Sequence, residues 1–173
     1  MADRPSRLIV FAGLPATGKS TLAEGVAGRL NAVWLRVDTI EAALLKAGLP
    51  ASFETGWAAY LVAHDLGAAH LRLHQDVVID AVNGVEPARA LWEALARRTS
   101  ARRFVIEVVC SDARKHRRRV ESRPDPSPPM RAPTWEEVVR REYRPWMETI
   151  LRVDGTLPAE PNVSRIVQYC VLA

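Results

Sequence analysis

Leu8-Ile9-Val10-Phe11-Ala12 runs directly into Gly13-Leu14-Pro15-Ala16-Thr17-Gly18-Lys19-Ser20, a complete phosphate-binding loop of the form G-x-x-x-x-G-K-[ST]. The apolar run before it suits a buried strand, and the stretch after it, 18–30, suits a helix. That context matters because the loop works only between a strand and a helix N-terminus. There its backbone N–H groups converge on a polyphosphate, and the helix dipole adds a favourable field for the anion. Residues Gly13, Leu14, Pro15, Ala16, Thr17, Gly18, Lys19, Ser20 and Thr21 are therefore the expected nucleotide-binding set. Lys19 would reach the β- and γ-phosphates, and the Ser20 hydroxyl would ligate Mg²⁺. A glycine-rich turn is the alternative, but with so few lysines and glycines in the chain a chance match is improbable.

Working outward, 173 residues with 48% apolar content suit one domain, 1–173, with a substantial core. No run approaches 18 apolar residues, which excludes a spanning helix. The N-terminal M-A-D-R-P-S-R precedes only the apolar run of the loop strand, so a cleaved leader is not expected. Cys110 and Cys170 match no metal spacing, and two lone thiols fit a reducing, cytoplasmic setting. The net charge of +4 comes almost wholly from arginine: of 24 basic residues only Lys19, Lys46 and Lys115 are lysine. Anionic partners, either nucleotide phosphates or a polyanionic substrate, are one reading of this bias; a solvated arginine-rich surface is the other. No stripe of alternating basic and aromatic residues marks a nucleic-acid groove.

Strand-like and helical runs alternate, which predicts a parallel sheet covered by helices. Strands are expected at 7–12, 33–37, 76–82, 104–109 and 149–153. Helices are expected at 18–30, after Asp38 from near Ile40 through Lys46, and at 54–75, 87–98, 114–123, 135–144 and 162–171. The segment R-P-D-P-S-P-P-M-R-A-P, 123–133, holds five prolines and reads as a mobile loop; with the basic stretch before it, it forms a lid at about 111–133.

Ligands of an open parallel sheet bind at the C-terminal strand ends, and besides the loop two carboxylates fall there, Asp38 and Asp80. Asp38 is read as the carboxylate that orients or deprotonates an acceptor hydroxyl, or else as an N-cap. Asp80 ends the apolar V-V-I-D and is read as acting on Mg²⁺ or its waters. Asn83 would hold the acceptor or orient Asp80, unless Asn83-Gly84 is only a turn. In R-K-H-R-R-R-V-E-S-R, His116, Arg119 and Arg123 share helical spacing, so this face would close over the triphosphate, unless it is merely solvated. His70 and His74 are spaced i, i+4 but lack a third metal ligand, and Cys110 reads as a small core residue rather than a nucleophile. The tryptophans read as packing, with Trp135 and Trp146 clamping the lid to the sheet.

Taken together, F-A-G-L-P-A-T-G-K-S-T-L-A, L-R-V-D-T-I-E, V-V-I-D-A-V-N-G-V-E-P-A-R, the basic lid and P-T-W-E-E-V-V-R-R-E-Y-R-P-W resemble the small P-loop kinases. That group includes polynucleotide 5′-kinases, zeta-type toxins, chloramphenicol phosphotransferase, and gluconate or adenylylsulfate kinases. Ala16 departs from it, standing where glycine is more frequent. The resemblance implies a three-layer P-loop NTPase α/β fold: a five-stranded parallel sheet of order 2-3-1-4-5, helices on both faces, and an Arg-rich lid. It implies ATP–Mg²⁺ phosphorylation of a hydroxyl, with Lys19, Asp38, Arg119 and Arg123 catalytic, Asp38, Asp80 and Asn83 (with Arg89) at the substrate, and Ser20 with Asp80 at the metal. A small-molecule acceptor is the leading expectation. A polynucleotide 5′-hydroxyl kinase would need a basic channel leading to Asp38. A nucleotide-dependent switch with a protein partner is the third reading, against which stand the absent N-K-x-D motif and the lack of a strand ending in Asp-Glu.

Overall fold

The computed structural model describes residues 4–124 and 130–172. In chain order the elements are β1 (Arg7–Ala12), α1 (Lys19–Leu30), β2 (Val33–Arg36), α2 (Val37–Lys46), α3 (Phe53–Arg72) and β3 (Val77–Asp80), then α4 (Glu86–Thr99), β4 (Arg102–Val109), α5 (Ala113–Glu121), α6 (Trp135–Arg140), β5 (Leu151–Asp154) and α7 (Ala159–Leu172). The five strands form one parallel sheet of order β2-β3-β1-β4-β5. This is the three-layer α/β arrangement and strand order that the resemblance implies.

Every residue of β1 and β3 is buried, because helices cover both faces of the sheet. Alternation along β1 divides the core in two. Leu8 and Val10 join Ala59, Ala63, Leu71, Trp92 and Leu95 beneath α3 and α4. Ile9 and Phe11 join Leu22, Val26, Val163 and Ile166 beneath α1 and α7. At the N-terminal edge the Asp76 carboxylate accepts from the Arg7 backbone N–H (2.7 Å) and guanidinium (2.6 and 3.0 Å) and from Arg4 (2.9 Å), which fixes where β1 and β3 begin.

Three expected boundaries shift. The second strand stops at Arg36, so Asp38 lies inside the first turn of α2 rather than after the strand. The basic helix ends at Glu121, which leaves Arg123 beyond it and off the helical face shared by His116 and Arg119. The helix expected to reach residue 144 stops at Arg140, because the Arg144 N–H bonds the Gly84 carbonyl (2.8 Å) instead of continuing the helix. Residues 125–129 of the expected mobile loop lie outside the described residues.

Candidate active site

The C-terminal strand ends open into a cleft of about 900 Å³ lined by the phosphate loop, the first turns of α2, the end of α5 and the chain on both sides of α6. The loop owes its shape to close backbone packing. Gly13 has φ +143°, and a Cβ there would stand 2.3 Å from the Val108 carbonyl oxygen. Only glycine fits that combination. Ala16 sits at φ +63°, a left-handed conformation that costs a non-glycine residue about 1–2 kcal/mol. Strain of this kind is common where a loop is shaped for a ligand. The Thr17 hydroxyl donates to Leu14 O at 3.0 Å, so its side chain closes the loop on itself.

Lys19 is 7% exposed and opens α1, with Nζ 3.4 Å from Asp80 Oδ1. The sheet register pairs Asp80 with Phe11 on one side and Arg36 on the other. Arg36 Nε therefore lies 3.8 Å from Asp80 Oδ2, and Arg36 Nη2 lies 3.9 Å from Asp38 Oδ2. Lys19, Asp80, Arg36 and Asp38 thus form a row of alternating charge along the sheet edge, from the phosphate loop to the far wall of the cleft. Both Asp80 Oδ2 and Arg36 Nε are buried without a hydrogen-bond partner, and such atoms cost about 1–3 kcal/mol each unless something completes them.

Asp38 lines the cleft with its side chain 44% exposed. It caps nothing: the N-cap of α2 is Arg36, and no side chain bonds there. Glu41, one turn on, lines the same cleft. Its carboxyl is pushed above the ordinary value by burial and by the nearby charge of Asp38, with Arg141 opposing. Burial likewise raises the Tyr60 hydroxyl to about 12; that hydroxyl accepts the Asn83 N–H at 3.4 Å and stays neutral.

The basic helix is docked on the loop. His116 Nε2 donates to Pro15 O at 2.8 Å, and the ring meets Trp135 edge to face at 5.3 Å. Arg119 donates to Thr17 O (3.3 Å) and Gly155 O (2.8 Å) while lining the cleft, and Arg123 lines it as well. Trp135 therefore ties α6 to the basic helix. Trp146 lies on the Arg89 guanidinium, 3.9 Å from Cζ to the ring centroid.

Three expectations are corrected here. Asn83 is fully buried, its Nδ2 donating to Phe11 O and its Oδ1 accepting from Trp92 Nε1, both at 2.7 Å, so it offers nothing to an acceptor and does not orient Asp80. Arg89 is spent in the same way, donating to the carbonyls of Asn83, Gly84, Arg144 and Pro145. Cys110, read as a core residue, is part-exposed, whereas Cys170 is buried, with its thiol pushed up to about 12 by that burial. His70 bonds Gln75 at 2.7 Å, and among the described residues no three His, Cys, Asp or Glu side chains gather as a metal group. Among the described residues no helix is long and apolar enough to cross a membrane. Sequence reading missed Arg36, Glu41 and Arg141, all on the cleft wall. The i, i+3 spacing of Asp38 and Glu41 was the one local signal available.

A parallel sheet of order 2-3-1-4-5, with a phosphate loop after its central strand and a basic helix over that loop, defines the fold of the small P-loop kinases. Residues 8–144 match the AAA domain family AAA_33, and the chain belongs to that family. No curated protein matches the chain by sequence. Among solved structures it is similar to a putative kinase from Chloroflexus aurantiacus: 23% identity over 96% of this chain and 97% of that one, TM-score 0.76. It is also similar to a sugar kinase from Janibacter sp. HTCC2649, at 17% identity, 95% and 94% coverage and TM-score 0.71. A third is the APS kinase CysC of Mycobacterium tuberculosis in complex with AMPPNP and APS, at 16% identity, 95% and 96% coverage and TM-score 0.72.

Proposed function

We propose that the chain is an ATP-dependent kinase that transfers the γ-phosphoryl group to a hydroxyl of a small molecule. The observation that carries this reading is the placement of Asp38: a part-exposed carboxylate that caps no helix and faces the same cleft as Lys19 and Ser20. An ATPase that only switches a partner has no use for such a group beside its γ-phosphate. The kinase names borne by the similar solved structures support the same reading.

In the transfer, the acceptor oxygen forms a bond to Pγ while the bond from Pγ to the β,γ-bridging oxygen breaks. Its electron pair stays on ADP, and the acceptor's proton passes to Asp38 or through it to solvent. Lys19 leaves Asp80 for the β- and γ-phosphates, and the loop amides hold the rest of the chain of phosphates. Arg119 and Arg123, at the cleft mouth, neutralise charge spreading over the equatorial oxygens. The residues fit Mg²⁺: Ser20 and Asp80 offer the hard oxygen donors this ion takes, and Asp80 Oδ2 is buried without a partner. When bound, Mg²⁺ supplies charge neutralisation between the β- and γ-phosphates. Arg36 keeps Asp38 and Asp80 from repelling one another and holds the acceptor carboxylate toward the cleft.

ATP consumption against sugars, nucleosides, aminoglycosides, other antibiotics and 5′-hydroxyl oligonucleotides tests the reading, with Lys19→Ala as blank. One acceptor class should raise turnover well above the blank, and Asp38→Asn should lower kcat for it by about 10²–10⁴. Full turnover in Asp38→Asn would remove Asp38 from the mechanism. Stimulation by oligonucleotides alone would shift the acceptor to a polynucleotide end, and no stimulation by any acceptor would favour a switch.

A further inference from the structure

The outer surface of α3 does not suit a helix that faces water. Its inner face belongs to the core through Ala59, Ala63 and Leu71. Between residue 57 and the C-cap Leu73, seven positions are exposed, and five of them are Leu61, Val62, Leu66, Ala69 and Leu73. The four large side chains of this set are exposed by 42%, 39%, 43% and 70% respectively. Among the described residues no exposed position of α1, α2, α4 or α5 carries a large apolar side chain. Those helices turn polar or small residues outward, as solvated helices do.

The apolar positions form a stripe. Ala58, Val62, Leu66, Ala69 and Leu73 follow one another at intervals of four, four, three and four. At about 100° per residue they fall within an arc of about 80°, over a length of about 22 Å. Together with Leu61 they leave on the order of 400 Å² of apolar surface open, the size of a patch that binds rather than of side chains scattered singly. One flank of the stripe is charged, because Glu54, Asp65 and Arg72 are separated by nearly whole turns. Asp65 is already matched, by His64 at 2.9 Å and Arg98 at 4.0 Å. Glu54 and Arg72 stand about 27 Å apart near opposite ends of the helix, and among the described residues neither makes an ion pair.

Shape, charge and area together select a second copy of the chain as the occupant. A two-fold contact requires a surface that complements itself. With α3 laid antiparallel on its copy and Leu66 near the crossing, Ala58 meets Leu73 of the second copy and Val62 meets its Ala69. A smaller side chain thus faces a larger one at each step, which lets the two helices approach closely. The same direction carries Glu54 of each helix toward Arg72 of the other. A parallel pair would instead set Glu54 beside Glu54 and Arg72 beside Arg72, and like charges so placed repel. The stripe supplies about half of the roughly 800 Å² that each partner buries in a standard interface, and the charged flank forms the polar rim.

We propose that the outer face of α3 is a homodimer interface, in which two copies pack α3 against α3 antiparallel about a two-fold axis near Leu66, and the Glu54–Arg72 pairs fix the direction. No residue of α3 lines the cleft, so the interface occupies neither active site.

Sedimentation velocity of the full chain across the micromolar concentration range tests this. The chain should pass from monomer to dimer within that range, and its Tm should rise with concentration. Leu66→Glu should weaken association by at least about a hundredfold, because the substitution enters the crossing twice. Its Tm at a dilution where the parent is also monomeric should match the parent's, since the position is exposed in the monomer. Glu54→Arg and Arg72→Glu should each weaken the dimer by about threefold to tenfold, and the double exchange should restore it. A chain that stays monomeric throughout overturns the proposal and leaves the stripe to a protein of different sequence. A dimer indifferent to Leu66→Glu overturns it by placing the contact elsewhere. A double exchange no tighter than either single variant overturns the antiparallel pairing.

Discussion

Asn83 joins the end of β1, through Phe11 O, to α4, through Trp92 Nε1. It does so from a left-handed backbone, φ +50°, which asparagine tolerates better than most residues. The positive φ is of the kind an Asn-Gly dipeptide favours, but the direction of the side chain depends on Trp92 and Phe11, which no local pattern ties to it. Replacing Asn83 with Ala leaves the Trp92 N–H and the Phe11 carbonyl buried and unpaired. The loss should be about 2–4 kcal/mol, read as a lower urea midpoint at unchanged slope. The KM for an acceptor should stay within about twofold of the parent value in the protein that remains folded. A large rise in KM with normal stability would return Asn83 to the substrate. Lys19 and Asp80 were legible for the opposite reason. One lies in a contiguous motif and the other ends an apolar strand, so chain position alone put both at the sheet edge. Arg36, Glu41 and Arg141 belong to the cleft only through the approach of separate elements, and composition could say no more than that arginine was abundant.

Elements with strong periodicity were placed correctly, and the errors gathered where tertiary bonds compete with the helix. Residues 141–144 have helix-compatible side chains, yet Arg144 N–H and the carbonyls of Arg144 and Pro145 are claimed by Gly84 and Arg89. Those bonds outweigh one more helical turn. The same competition between elements makes the β5–α7 turn a sensitive point. A Cβ on Gly155 would lie 1.8 Å from Thr17 O, and because that atom is backbone of the phosphate loop it cannot swing aside. Gly155→Ala must therefore push the turn off the loop and lengthen the Arg119 bond to Gly155 O. Overpacking of this sort costs about 1–3 kcal/mol, or roughly 2–10 °C in Tm for a chain of this length. Nucleotide affinity, followed by titration with a fluorescent ATP analogue, should fall by at least about tenfold, because the loop that shapes the phosphate site has moved. A variant with parental affinity would show that the turn and loop are not coupled as their contact requires.

Over the whole molecule, the two ends of the sheet are each tied by a carboxylate, and this gives the protein a defined response to acid. Burial alone would raise the Asp76 carboxyl, but the bonds from Arg7 and Arg4 more than offset it, and the group is held below its usual value of 3.8. At the other end Asp154 is lowered to about 2: hydrogen bonds from the Ser111 hydroxyl and the Thr156 and Ser111 N–H groups outweigh desolvation. A carboxyl whose pKa is depressed by folding contributes stability that is complete above its unfolded value and is lost as pH falls through its folded value. These two ties should therefore hold fully from neutrality down to about pH 5 and fail between about pH 4 and pH 2. Urea midpoints measured at pH 7, 5, 4 and 3 should be level across the first pair and decline steeply across the last. Asp76→Asn should lose about 2–3 kcal/mol at pH 7, since Arg7 is then buried without its counter-charge, and its decline below pH 4 should be shallower than the parent's. Asp154→Asn should flatten the same limb with a smaller loss at neutral pH, because its carboxylate is less buried and ties only Ser111 and Thr156. If both variants kept the parental slope below pH 4, the acid response would have to arise elsewhere in the fold.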